Sequence, residues 1–226
     1  IKKMVWYQAL STELRESKVK VGNVRTDLRF HTAFVMPSGS GKKNLINLYQ
    51  ELGKRRSHKI TSPDSLHPEQ LIGKVRERKQ DDGAYYEEVR GHLDNDFVLM
   101  DESAELFKSD RDDIKQTRKY IRVAADVYGE NEIEKRRTGI PQGEGISYCP
   151  NSNLALFMQP FRVKKEFALD GTLRRVFIPY VTFSPHLNTS DYTKRIKPQK
   201  EFSRKKAFDK FEETMENLGE AEIEVL

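Results

Sequence analysis

Two short stretches carry residue types that can handle a phosphate ester. In "FVMPSGSGKKNLINLY" (residues 34–49) a short apolar run leads into a turn holding Gly39 and Gly41. Lys42 follows at once, and Leu45, Leu48 and Leu52 then recur at helical spacing. The N–H groups of such a turn and the positive end of the following helix attract an anion, and the lysine adds a full charge. In "FVLMDES" (residues 97–103) four apolar residues run into Asp101 and Glu102, which begin 59 residues after Lys42. Carboxylates at the end of a rigid buried strand suit metal-assisted hydrolysis. Asp101 would hold Mg²⁺, and Glu102 would orient and polarise the attacking water.

The usual phosphate-loop pattern is G-x-x-x-x-G-K-[ST]. Aligned on Gly41-Lys42, Met36 stands at the first glycine and Lys43 at the metal-binding hydroxyl. The nucleotide-binding set is then Pro37, Ser38, Gly39, Ser40, Gly41, Lys42, Lys43 and Asn44. Mg²⁺ keeps several waters and needs few protein ligands, so a water or the Asn44 amide can replace the missing hydroxyl. The second positive charge at Lys43 could instead repel the metal while still attracting phosphate. Two further segments follow. "NLALFMQPF" is an apolar strand closed by Gln159, and "DGTLRRVFIPY" carries Arg174 and Arg175. An arginine here could reach a neighbouring subunit's nucleotide and stabilise charge on its γ-phosphate, Arg175 being the first choice and Arg174 the second.

These residues need elements to hold them. Residues 4–16 read as a short amphipathic helix with Val5, Leu10 and Leu14 near one face. Strands are expected at 30–36, 58–61, 97–100, along "NLALFMQP", and at 173–183. Helices are expected at 44–52, from about Pro68 onward, at 112–128, and from about Arg204 to Leu218. "DDGAYYEEVRG" reads as a turn and connector, and residues 132–146 as a basic hairpin with a Gly/Pro-rich tip. Alternating strands and helices predict an α/β fold: a largely parallel central sheet flanked by helices, with the hairpin as an insertion. Such sheets bind ligands at the carboxyl ends of their strands, where both acidic and glycine motifs fall. The domains expected are a helical lead-in over 1–29, a core over 30–183 and a charged, partly helical extension over 184–226.

Composition sets the outer bounds. The chain has 226 residues, enough for one large domain, and 33% of them are charged. Net charge is +5 with a sequence pI near 9.1, which admits nucleic acid as a partner. No apolar run reaches membrane-spanning length, and "IKKMVWYQAL" is too polar for a secretory signal. Ile1 in place of an initiator Met suggests a fragment or a trimmed chain. Cys149 is the sole cysteine, which rules out an intrachain disulfide and points to a cytoplasmic, intracellular protein. His31, His58, His67, His92 and His186 show no metal-ligand spacing.

In their order, "MPSGSGKKN", "FVLMDES", "LALFMQP" and "LRRVFIPY" resemble the ATPase domains of phage- and plasmid-encoded primase–helicases. They are more distantly similar to minichromosome-maintenance and other AAA+ replicative helicases. The likeness covers roughly residues 30–183, and Met36 and Lys43 depart from it. It implies ATP and Mg²⁺ as cofactors, with Gln159 sensing the γ-phosphate as in additional-strand ATPases. It implies a ring, commonly a hexamer, with ATP hydrolysed between subunits to drive movement along single-stranded or forked DNA, and a primase or other replication domain as a possible companion. In that setting Lys135, Arg136 and Arg137 would contact DNA phosphates from the basic hairpin, and Tyr148 could stack on a base. The alternatives are a nucleotide-binding module that has lost turnover and serves in assembly, and a DNA-packaging ATPase.

Overall fold

Short apolar runs form the central strands, and amphipathic segments cover them. A computed structural model describes residues 2–63, 67–80, 83–135, 137–138, 146–160 and 171–179, together with 209–210 and 212–213. The chain divides into two units, Ile1–Val181 and Thr182–Leu226. In the second unit the described residues are helical and fall within the helix expected over 204–218.

The first unit begins with α1 (Lys2–Glu13), an antiparallel pair β1 (Lys18–Val21) and β2 (Val24–Asp27), and β3 (Thr32–Val35). Then come α2 (Lys42–Arg55), β4 (Ile60–Thr61), the short α3 (Pro68–Ile72), β5 (Gly73–Gln80) and β6 (Gly83–Arg90). β7 (Phe97–Met100), α4 (Asp112–Ala125), β8 (Ile133–Lys135), β9 (Arg137–Thr138), β10 (Ile146–Tyr148) and β11 (Asn153–Met158) complete it. Among the described residues, three 3₁₀ turns lie at His92–Asp94, Ser103–Phe107 and Leu173–Arg175.

The central sheet has the order β3-β11-β7-β4, and every pair is parallel. The strand that comes last in sequence is thus inserted between β3 and β7. Phe177 continues the sheet beyond β3. Its N–H donates to the His31 carbonyl at 2.8 Å, and Ala33 N–H and Val35 N–H donate to the carbonyls of Phe177 and Pro179 at 2.8 and 3.2 Å.

Alternation along the strands sorts the two faces of the sheet. Ala33, Val98, Met100, Leu154, Leu156 and Met158 join Leu106, Phe107, Ile114, Ile121 and Ala124 in one core, beneath α4 and the Ser103–Phe107 turn. On the other face Phe34 stacks on Phe157 at 5.2 Å, and Tyr49 of α2 lies 5.0 Å from Phe97. α2 buries Leu45, Tyr49 and Leu52, so Tyr49 takes the inward place expected of Leu48. The buried face of α1 is mostly polar: Val5, Gln8, Ser11 and Thr12, with Leu10 and Leu14 only half-buried. Gln8 accounts for this. Its amide donates to the Phe30 and Leu154 carbonyls, each at 2.8 Å, and its oxygen accepts from Thr32 and Tyr49. All of its hydrogen-bonding groups are thereby satisfied, which is what lets a glutamine stay buried.

Three sequence expectations change. The helix from Pro68 lasts five residues, because Gly73 takes a φ of +78° and its missing side chain admits the Val89 carbonyl. The rest of that helix and the "connector" after it form an antiparallel hairpin of two eight-residue strands, with pairs running from Gly73↔Arg90 to Gln80↔Gly83. The segment 173–183 opens as a 3₁₀ turn, and only its part near Phe177–Pro179 runs beside β3; residues 180–183 lie outside the described residues. Of the basic hairpin, β8 pairs with β10 while β9 pairs in parallel with β5. Its tip, residues 139–145, lies outside the described residues.

Candidate functional site

β3 ends at Val35, and Met36 N–H still donates to the Met158 carbonyl at 2.8 Å. Met36 is buried, so at this position the chain is still part of the sheet and its side chain packs inward. A first-position glycine would fill no core there. The turn proper begins at Pro37, whose carbonyl accepts from Ser40 N–H at 3.2 Å. Gly39 and Gly41 have φ of +76° and +87°, left-handed values that a side chain resists. Gly41 caps α2 without a side-chain hydrogen bond, and the first turn of this 14-residue helix contains no acid. Its free N–H groups and positive end are therefore available to an anion.

Lys42 is the first residue of α2. Its Nζ lies 2.6 Å from Asp101 Oδ1 and 2.7 Å from Glu102 Oε1. β7 delivers those carboxylates: Phe97, Val98, Leu99 and Met100 are all buried, and the chain turns at Asp101. Asp101 Oδ1 also accepts from Glu102 N–H at 2.8 Å. Glu102 sits at φ 52°, ψ 32°, a left-handed conformation unusual for a side chain of its size. Partial burial of Lys42 works against its charge. The hydrogen bonds and charges of Asp101 and Glu102 outweigh that and hold its pKa above the ordinary lysine value.

The residues named in the sequence divide into those at this site and those away from it. Ser38, Gly39, Lys43 and Asn44 are exposed around the loop, and Pro37, Ser40, Gly41 and Lys42 are half-buried. Gln159 follows β11 directly, beside the start of the loop, and is exposed. Arg174 and Arg175 precede Phe177, which pairs in parallel with Thr32. They therefore lie at the amino end of the sheet, opposite the loop. Arg175 is held by the Asp126 carboxylate and by the Gly171 carbonyl. Arg174 is exposed and pairs with no carboxylate among the described residues.

The basic-hairpin assignment needs correction at Lys135. That side chain is 1% exposed, and its Nζ donates to Glu88 at 2.7 Å and Asp94 at 2.6 Å. It also lies over the Tyr148 ring at 4.4 Å. Two carboxylates and an aromatic face have captured the charge, so Lys135 is an internal tie and not a phosphate contact. Tyr148 is likewise half-buried, its hydroxyl donating to the Ile72 carbonyl at 3.4 Å. Arg136 lies outside the described residues, and Arg137 is known only by its backbone pairing with Val75. Sequence reasoning passes over the charged face of the β5–β6 hairpin, because K-V-R-E-R holds a single apolar residue and shows no decisive period.

Two observations bear on whether a nucleotide and its metal fit the loop. The Ser40 hydroxyl is buried and has no hydrogen-bond partner, a cost that an acceptor brought into the loop would relieve. A side chain at Gly39 would meet nothing within 4 Å, so the loop there is open. For magnesium, Asp101 and Glu102 supply two carboxylates; among the described residues no group of three or more His, Cys, Asp or Glu is placed to hold a metal. No helix of the described residues is long and apolar enough to cross a membrane. The chain matches no protein-family model, and no curated protein is significantly similar to it.

Proposed function

We propose that this chain is a phosphate-loop ATPase, the motor domain of a DNA-translocating enzyme of the replicative helicase type. The observation that carries the reading is the contact of Lys42 with both Asp101 and Glu102. Residues far apart in sequence converge because α2 follows β3 and the acids end β7, two strands separated only by β11. The inserted β11 also suits an additional-strand ATPase, since it brings Gln159 to the same end of the sheet. The helicase label rests on the resemblance alone, whereas the NTPase label rests on the site.

In this reading the N–H groups from Gly39 to Asn44 bind the β- and γ-phosphates, and the Ser40 hydroxyl gains its partner. Lys42 exchanges its carboxylates for phosphate oxygens, which frees Asp101 as the protein ligand for magnesium and Glu102 to orient water. Magnesium, when bound, neutralises charge on the phosphate oxygens. Gln159 reaches the γ-phosphate side of the loop. Lys43 is exposed, so solvent screens the charge that could repel the metal. The absent hydroxyl still favours a second reading, a nucleotide-binding module without turnover that acts in assembly.

ATP hydrolysis by the wild type and by Glu102→Gln, with magnesium and with or without single-stranded DNA, separates the two. The motor reading expects turnover that DNA stimulates and that falls about a hundredfold or more in Glu102→Gln, the scale of losing a catalytic base. Nucleotide binding without turnover in the folded wild type would establish the assembly module. Loss of nucleotide binding in Lys42→Ala supports either; tight binding retained there would overturn both.

A further inference from the structure

The β5–β6 hairpin carries a charged face that the ATPase reading does not use. Its register sets Lys74 opposite Val89, Arg76 opposite Glu87 and Arg78 opposite Tyr85. Alternate residues of a strand share a face, so Lys74, Arg76, Arg78 and Tyr85 lie on one side together with Glu87 and Val89. The other side is anchored: Val75 is buried, and Glu88 holds Lys135. The cationic side therefore faces outward, and beside it an open cavity of about 410 Å³ is lined by Lys74, Arg76, Arg90 and Glu69, with His67 and His92.

Charge does not cancel here. Glu69 takes Lys74 at 3.2 Å and Glu87 takes Arg78 at 2.7 Å. On this face Arg76 is exposed and pairs with no carboxylate among the described residues. The row from Lys74 to Arg78 is about 14 Å long, at about 3.4 Å per residue. That is longer than one phosphate needs and suits a polyanion. Tyr85, 51% exposed, stands at the end of the row and offers a flat face for a base. An acidic peptide would leave that ring unused.

We propose that this face of the hairpin, with the cavity beside it, binds single-stranded nucleic acid: Arg76 and Lys74 take phosphates and Tyr85 stacks on a base. The proposal rests on the motor reading for the kind of polyanion, but its geometry is independent of the phosphate loop.

The test is fluorescence anisotropy of labelled oligo(dT) with the full chain, without nucleotide, across a salt series. Arg76→Glu should weaken binding at least about tenfold and reduce the salt slope by about 0.7 for each phosphate left without its cation. Tyr85→Ala should weaken it roughly tenfold while Tyr85→Phe binds like the wild type. Lys119→Glu, on the exposed side of α4, should change nothing. Equal weakening by Lys119→Glu and Arg76→Glu would overturn the proposal in favour of general positive charge. No wild-type binding at low salt would also overturn it, as would indifference to Tyr85→Ala with poly-glutamate competing as well as DNA. A fluorescent ATP analogue, titrated into the same variants, keeps the two readings apart. Intact ATP binding beside absent DNA binding counts against the hairpin, and the reverse counts against the loop.

Discussion

His31 is a buried base that the fold keeps neutral. It is 6% exposed at the start of β3, and its Nδ1 accepts the Leu154 N–H at 3.2 Å, which places its proton on Nε2. Burial, helped by the charge of Arg29 and opposed by Asp27, lowers its pKa from 6.5 to about 3. The unfolded chain protonates this imidazole below 6.5, and the folded chain does not until about 3. Protons therefore bind preferentially to the unfolded state across that window, and stability falls as pH drops through it. Denaturant titrations of the wild type should show this loss. In His31→Asn, whose amide oxygen can still accept from Leu154 N–H, the dependence on pH should be shallower. Parallel slopes for the two proteins would show that other groups set the acid limit. Glu102 presents the opposite case, a residue held in a conformation that costs on the order of 1 kcal/mol. Its place after an apolar run is readable in the sequence, but its left-handed backbone is not, since nothing local in "MDES" demands φ 52°.

At the scale of elements, the sequence is most legible where apolar residues are continuous or helically spaced. β7, β11 and α2 fall where "FVLM", "NLALFM" and the Leu45–Leu52 spacing put them, because burial alone decides those segments. The β5–β6 hairpin is not legible in this way. Both of its faces are charged, Val75 is one of few apolar residues in it, and "KVRERK" suits a helix as well as a strand. Only Gly73 at φ +78° breaks the helix there. Lys135 misleads for a related reason: a sequence shows a cation but not the carboxylates that fold onto it. Glu88 comes from β6 and Asp94 from the turn after it, so Lys135 ties β8 to the hairpin and to the base of β7. Removing a buried charge leaves its partners uncompensated, at a cost of about 3 kcal/mol. Lys135→Met should lose about that much in chemical denaturation while keeping its affinity for oligo(dT). A stability change under about 0.5 kcal/mol, the scale of a surface substitution, paired with weakened DNA binding, would return the residue to a surface role.

At the scale of the whole molecule, the parallel sheet separates two groups that the proposed chemistry wants together. Lys42, Asp101, Glu102 and Gln159 gather at the carboxyl ends of β3, β7 and β11. Arg174 and Arg175 precede the segment that pairs with the start of β3, so they lie at the amino end. Within one copy the length of β3 stands between them. If Arg174 or Arg175 stabilises the γ-phosphate, it must be supplied by another copy. Arg175 is already occupied by Asp126, which makes Arg174 the better candidate and reverses the order taken from the sequence. The consequence is a complementation test. Glu102→Gln has an intact arginine and a dead site; Arg174→Ala has an intact site and no arginine. Each alone should hydrolyse ATP about a thousandfold more slowly than the wild type, a loss within the range that such an arginine or a catalytic base contributes. Their mixture should recover part of the rate, because some interfaces pair the intact site of one copy with the intact arginine of the other. The recovery should vanish on dilution, as the assembly dissociates. A mixture no faster than its components would mean that Arg174 serves its own copy, or that the copies do not meet at this face. Full activity of Arg174→Ala alone would remove Arg174 from the mechanism and leave the loop lysines, the helix end and bound magnesium to offset charge at the γ-phosphate.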